Sequence, residues 1–173
     1  MNEEKQPENI SLIELENARL GYQAAINKWN YYGEGLWAKY NALLVANSIV
    51  VAAIGLVYAS QDSLPILAWA LPLLGLMLSA VWFLITKRGT EQHIFYGLAA
   101  RELEEKFLAD EVYLHSHGAS YAAGKPVSLK IGGTFKTLRM SVWGRTVRTS
   151  ILTCIVIGIF AAIYLAVIIQ NIL

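Results

Sequence analysis

Three stretches of this chain hold no Asp, Glu, Lys or Arg: residues 40–61, 63–86 and 149–173, which are 22, 24 and 25 residues long. An α-helix rises about 1.5 Å per residue, so about 20 apolar residues cross the hydrocarbon core of a bilayer. Each stretch clears that length. All 27 charged residues lie in the rest of the sequence, 16% of the total, against roughly 25% in a soluble domain. This distribution excludes a soluble globular protein, a disordered chain and a collagen. With Cys154 as the single cysteine, it also excludes an internal disulfide scaffold or a cysteine zinc cluster within one chain. Transmembrane β-strands alternate over about 10 residues, so a β-barrel does not fit either. The expected fold class is an all-α membrane protein of three transmembrane helices with cytoplasmic helices, and a short β-hairpin near 127–142 is one reading of that segment.

The basic residues set the expected topology. Lys5, Arg19, Lys28 and Lys39 precede the first span, and ten more lie between Lys87 and Arg148. The turn Gln61-Asp62-Ser63 has none, and neither does the end Gln170-Asn171-Ile172-Leu173. Positive charge near a span stays inside. The expected arrangement is therefore a multi-pass membrane protein with its N-terminus cytoplasmic and its C-terminus outside. The first apolar run starts at residue 40, too late for a cleaved leader, and reads as an uncleaved anchor. Four segments follow: a cytoplasmic amphipathic helix (1–39), a transmembrane helical hairpin (40–86), a cytoplasmic helix with a basic loop (87–148) and a third transmembrane helix (149–173).

Ser11-Leu12-Ile13-Glu14 has the pattern of a capping box, in which the serine caps a helix and the glutamate reaches back. Leu15, Ala18, Tyr22, Ile26 and Trp29 then recur at helical spacing. This stripe is expected to pack against the middle region, ahead of a partner-binding role. Tyr31, Tyr32, Trp37 and Tyr40 suit a membrane interface, because an apolar ring there carries a polar handle. In the first span, Asn47 calls for a hydrogen bond to another helix. In the second, Pro72 is interior and removes one backbone bond, leaving a carbonyl for a neighbour to satisfy.

Residues 90–114 read as a helix with Tyr96, Ala99, Ala100, Leu103 and Phe107 on its apolar face and a Glu102–Lys106 pair. Residues 116–134 read as a loop rich in glycine, serine and alanine. From 127 to 142 two readings compete. Val127, Leu129 and Ile131 alternate before Gly132-Gly133, and Leu138, Met140 and Val142 alternate after it, which suits a hairpin. Thr134 capping a short interfacial helix is the other reading, and is slightly preferred. Lys125, Lys130, Lys136, Arg139, Arg145 and Arg148 occur here without an acid. Beside a membrane they suit contact with anionic phospholipid, at about 1 kcal/mol per basic residue near the surface. Nucleic acid is not expected, because Phe135 and Trp143 make no stacking platform.

Span three carries Ser150, Cys154, Gly158, Ala162, Ala166 and Gln170 at every fourth position. Small residues let helix backbones approach closely in lipid. Ser150, Cys154, Gly158, Ala162 and Ala166, with Asn47, are the expected packing residues, whether against the chain's own hairpin or between subunits. No Walker loop, Gly-x-Ser-x-Gly, His-Glu-x-x-His or dinucleotide fingerprint occurs. His115 and His117 with Asp110 or Glu111 make half a metal site at most, and no cofactor or metal is expected. The spans contain no ionisable carboxylate or base, which argues against ion-coupled transport and voltage sensing.

Trp29-Asn30-Tyr31-Tyr32, Trp37, Asn41, Asn47, Leu71-Pro72-Leu73-Leu74-Gly75, Trp82 and Arg101-Glu102-Leu103-Glu104-Glu105, with a third span ending the chain, resemble the RipA family of small octameric bacterial membrane proteins. The resemblance covers most of the chain and implies an inner-membrane homo-oligomer, an octamer, without known catalysis. A second likeness is to SLATT effectors, thought to form pores, which pair two spans with a cytoplasmic helix where this chain has three spans. The expected function is that of a non-enzymatic, homo-oligomeric inner-membrane protein with a cytoplasmic assembly module, acting as a scaffold or membrane organiser. A pore- or channel-forming effector is the alternative.

Overall fold

The computed structural model describes residues 11–60, 65–108, 114–131, 133–146 and 149–173. The elements in order are α1 (Leu12–Ala59), α2 (Pro65–Phe107), α3 (Leu114–Ala122), β1 (Val127–Ile131), β2 (Thr134–Leu138), α4 (Val142–Thr146) and α5 (Thr149–Ile172). Three of the helices, α1, α2 and α5, are long and apolar enough to cross a membrane. The chain is an all-α membrane protein with one small antiparallel hairpin, as its charge distribution implies. It divides into two compact units, Met1–Tyr31 with Gln92–Thr146, and Tyr32–Glu91 with Val147–Leu173.

The N-terminal amphipathic segment and the first span are one helix. α1 opens with the capping box: the Ser11 amide donates to Glu14 Oε2 at 2.9 Å, and the Glu14 amide donates to Ser11 Oγ at 3.2 Å. The Ser11 amide, with the Ser11 hydroxyl donating to the same carboxylate oxygen at 2.8 Å, holds the Glu14 carboxyl below its usual range, the backbone bond contributing most. No proline interrupts the helix up to Ala59, so nothing in the backbone requires a break. α2 is likewise continuous through Pro72, and it carries the charged segment as far as Phe107. The expected turn at residues 61–63 lies outside the described residues.

In the first unit, α1 meets α2 through the expected stripe. Ala18, Ala25 and Ala100 are buried, and Leu103 Cδ1 lies 3.3 Å from where a Cβ on Gly21 would stand. The Trp29 indole stacks on the His93 ring, centroids 4.7 Å apart, and His115 meets it edge-on at 5.2 Å. Glu104 is fully buried, and its carboxylate accepts from the amides of His115 (2.8 Å) and Ser116 (2.6 Å). It thereby satisfies two of the unpaired donors at the start of α3. Burial, with the Glu104 charge second, pushes the Tyr22 phenol above its usual range. The ion pair on these turns is Arg101–Glu105 at 2.7 Å rather than the expected Glu102–Lys106; the Lys106 ammonium instead lies 5.1 Å over the Phe107 ring.

Two local expectations are corrected here. Residues 116–122 belong to α3 (Leu114–Ala122) where a loop is expected. α3 closes with a Schellman motif: Lys125 N–H donates to Ser120 O at 2.9 Å and Gly124 N–H to Tyr121 O at 2.8 Å. Gly124 adopts φ +77°, a conformation that glycine takes without strain. The slight preference for helix after residue 127 is also wrong, since β1 and β2 pair in register from Val127↔Leu138 to Ile131↔Thr134. Thr134 opens a strand and caps no helix. Gly133, at φ +82°, supplies the turn, Val127 is buried, and Ser128 and Thr137 share a cross-strand hydroxyl bond at 2.8 Å. Residues 109–113, the end of the expected 90–114 helix, lie outside the described residues.

In the second unit each helix buries one narrow stripe. On α2 it is Pro72, Gly75, Ser79, Trp82 and Thr86, at alternating spacings of three and four. On α1 it is Asn47, Val50 and Ile54, and on α5 it is Thr153, Ile157 and Tyr164. Between 17% and 22% of the most apolar window of each spanning helix is buried inside the chain. Val45, Ile49, Leu56, Leu73, Met77, Ile155 and Ile159 are among the large side chains that face outward. A soluble protein would not leave so much apolar surface exposed, whereas a bilayer solvates it.

Candidate assembly face and the polar junction of the spans

Two buried polar groups of other helices, Ser79 of α2 and Tyr164 of α5, converge on Asn47. Its side-chain amide donates to the Leu43 carbonyl at 2.8 Å, one turn earlier on α1. Its Oδ1 accepts from Ser79 Oγ of α2 at 3.3 Å and from the Tyr164 hydroxyl of α5 at 3.1 Å. That hydroxyl proton is shared with the Asn47 backbone carbonyl at 3.0 Å. One asparagine thus ties three helices, with fully buried Tyr164 as the longest arm. Tyr164 reaches it because α2 presents Gly75: a Cβ there would lie 2.4 Å from the ring.

A second junction lies in the last turn of α5. Pro72 has no amide proton, so the Ala68 carbonyl, four residues earlier, loses its helical partner. The Asn171 side-chain amide donates to that carbonyl at 2.8 Å, and the Tyr58 hydroxyl of α1 donates to Asn171 Oδ1. Sequence reasoning identified the freed carbonyl but missed Asn171 and Tyr164. The signals were available: each is a polar group within a span, which must find a partner. Trp82, fully buried, packs between Tyr40 and Phe160 with ring centroids at 5.1 and 6.0 Å. Its indole N–H has no partner among the described residues.

The small-residue ridge of α5 takes a different position from these stripes. Ser150, Cys154, Gly158, Ala162, Ala166 and Gln170 are all exposed. A Cβ built on Gly158 meets nothing within 4 Å. The ridge does not pack on the chain's own hairpin, one of its two expected uses. That contact belongs instead to Ile157, Phe160 and Tyr164, with Val167 beside them.

The six basic residues are also distributed unequally. Lys125 and Lys136 are exposed. Arg139 donates from Nε to the Gly124 carbonyl at 2.9 Å, and the Arg145 Cδ lies 2.9 Å from where a Cβ on Gly124 would stand. Both arginines therefore help hold the end of α3, where cations also suit the helix dipole. The side chain of Lys130 and all of Arg148 lie outside the described residues. His115 and His117 sit two apart on α3, so they do not share a face; Asp110 and Glu111 lie outside the described residues. Among the described residues no three His, Cys, Asp or Glu come together to hold a metal ion.

Three outward-apolar spanning helices and an unused small-residue face are features of a subunit, and the family comparison agrees with them. Residues 21–173 match the octameric membrane protein family (8xMP). The chain belongs to this family. The resemblance to small octameric membrane proteins therefore holds over nearly the whole sequence, and the chain is a multi-pass membrane protein. No curated protein and no solved structure matches it.

Proposed function

We propose that this chain is a non-enzymatic inner-membrane protein that assembles with copies of itself, as an octamer, and acts as a scaffold or membrane organiser through its cytoplasmic unit. The observation that carries the reading is the α5 ridge. Gly158 has open space around it, while the family is described as octameric. Close backbone approach at small residues is how helices associate where lipid removes the hydrophobic drive. The outward apolar faces of α1, α2 and α5 favour contact with lipid and with other copies over a wet lumen. Lys125 and Lys136, with Lys130 and Arg148 by sequence, supply the contact with anionic phospholipid; Arg139 and Arg145 share that duty with their packing at Gly124.

Gly158→Leu tests the ridge. Overpacking typically costs about 1–3 kcal/mol, repeated at every subunit contact. The variant should insert normally and elute in detergent as smaller species than the wild type. Unchanged stoichiometry would remove α5 from the interface. Dye flux from reconstituted liposomes separates scaffold from pore: the scaffold predicts no leakage above that of protein-free vesicles, and sustained leakage supports the pore.

A further inference from the structure

The geometry points to α4 as an interfacial membrane anchor: Val142 and Trp143 insert into the headgroup region of an anionic leaflet just before the chain enters the bilayer as α5. This rests on the reading above that the basic segment lies against anionic lipid, and adds to it an apolar insertion that the basic residues do not supply.

Trp143 is 82% exposed and Val142 62%, the highest values for any tryptophan or valine among the exposed apolar residues. No described residue of the unit covers them. α4 has five residues, and isolated helices this short do not persist in water on propensity alone. Its ends are nevertheless held by its own polar groups. The Gly144 amide donates to Ser141 Oγ at 3.1 Å, and Thr146 Oγ1 donates to the Val142 carbonyl at 2.8 Å. The helix is thus formed with its two apolar side chains presented to the surroundings and no core of its own.

Two features indicate what covers it. The first is charge: Arg145 lies on α4, Lys125 and Lys136 are exposed in the same unit, and no acidic residue occurs between Leu114 and Leu173. Such a surface complements an anionic leaflet, whereas a second copy would have to bring acids to it from elsewhere in its chain. The second is position. Only residues 147–148 separate α4 from α5, a helix apolar enough to span, so α4 is covalently close to a membrane surface. Tryptophan beside basic residues at the end of a span is the composition that headgroup regions favour.

The test uses the full chain reconstituted in bilayers with bromines shallow on the acyl chains, one set anionic (phosphatidylglycerol) and one zwitterionic (phosphatidylcholine). The chain has five tryptophans, so the emission of Trp143 is taken as the difference between wild type and Trp143→Phe. The expected result is a blue-shifted difference spectrum, quenched at least twofold by the brominated lipid and little by aqueous iodide. Quenching by iodide and not by bromine overturns the proposal, leaving α4 in water. Quenching by neither also overturns it, and assigns the face to another copy. Equal bromine quenching in both bilayers supports the insertion while overturning the anionic preference, so the two readings fail separately. Val142→Cys in a Cys154→Ser background, carrying an environment-sensitive dye, repeats the measurement without altering any tryptophan. A dye spectrum typical of water in both bilayers would likewise overturn the insertion.

Discussion

Pro72 lacks an amide proton, and Asn171 from another helix supplies the donor that the Ala68 carbonyl needs. Asn171→Ala should leave that carbonyl unpaired and cost about 1–3 kcal/mol. Pro72→Ala restores the helical amide proton and should remove the Ala68 part of the Asn171 contribution, leaving its bond with Tyr58. In a double-mutant cycle read by unfolding in mixed detergent, the cost of Asn171→Ala should shrink when residue 72 is alanine; an unchanged cost would separate the two residues. Gly75 admits the Tyr164 ring. Gly75→Ala places a methyl 2.4 Å from that ring, so the phenol must retreat from Asn47. The expected loss is about 1–3 kcal/mol from overpacking, plus about 0.6 kcal/mol for an interhelical bond. Tyr164→Phe should show the smaller loss alone. At this scale the sequence exposed the needs, an unpaired carbonyl and a mid-span asparagine. It could not name the partners Asn171, Ser79 and Tyr164, because those depend on how three helices are rotated against one another.

At the scale of elements, the capping box of α1 makes a pH-dependent prediction. The folded Glu14 carboxyl lies below its usual range because Ser11 donates to its charged form. Its contribution is therefore fully present above the ordinary carboxylate pKa of about 4.3 and is lost as pH falls through the depressed folded value. Amide exchange at residues 11–15, corrected for intrinsic rate, should show fraying of the first turn as the pH drops from 6 to 3. Glu14→Gln should flatten that dependence; an unchanged profile would detach the fraying from this carboxyl. The capping box was readable because its partners are three residues apart. The hairpin was harder to read. Alternation in Val127, Leu129 and Ile131 pointed to strands, but the basic residues obscured it. The choice came from non-local terms, including the burial of Val127 and the Ser128–Thr137 bond. The continuity of α1 and α2 was missed for a related reason. A change from apolar to charged sequence marks where a helix leaves the lipid; it need not mark where the helix ends.

For the whole molecule, orientation is the property that sequence addresses most directly. All 14 basic residues fall on one side if the chain spans three times. A reporter active only outside the inner membrane should work when fused at Leu173 and fail when inserted at His115. A cytoplasmic signal at Leu173 would sink the three-span arrangement. The sequence by itself determined that this is a membrane protein of three apolar helices, because lipid imposes a length and a freedom from charge that no packing detail can relax. It also carried the family, since the match extends over residues 21–173. Only the tertiary structure decided which stripe of each helix turns inward. Nearly every face of a spanning helix is apolar, so periodicity does not distinguish the side that meets a neighbouring helix from the side that meets lipid. That choice rests on a few polar atoms and on shape: Asn47 with Tyr164, Asn171 with Ala68, and Gly75 beneath a ring. Their pairing places Gly158 and the rest of the ridge on the outside.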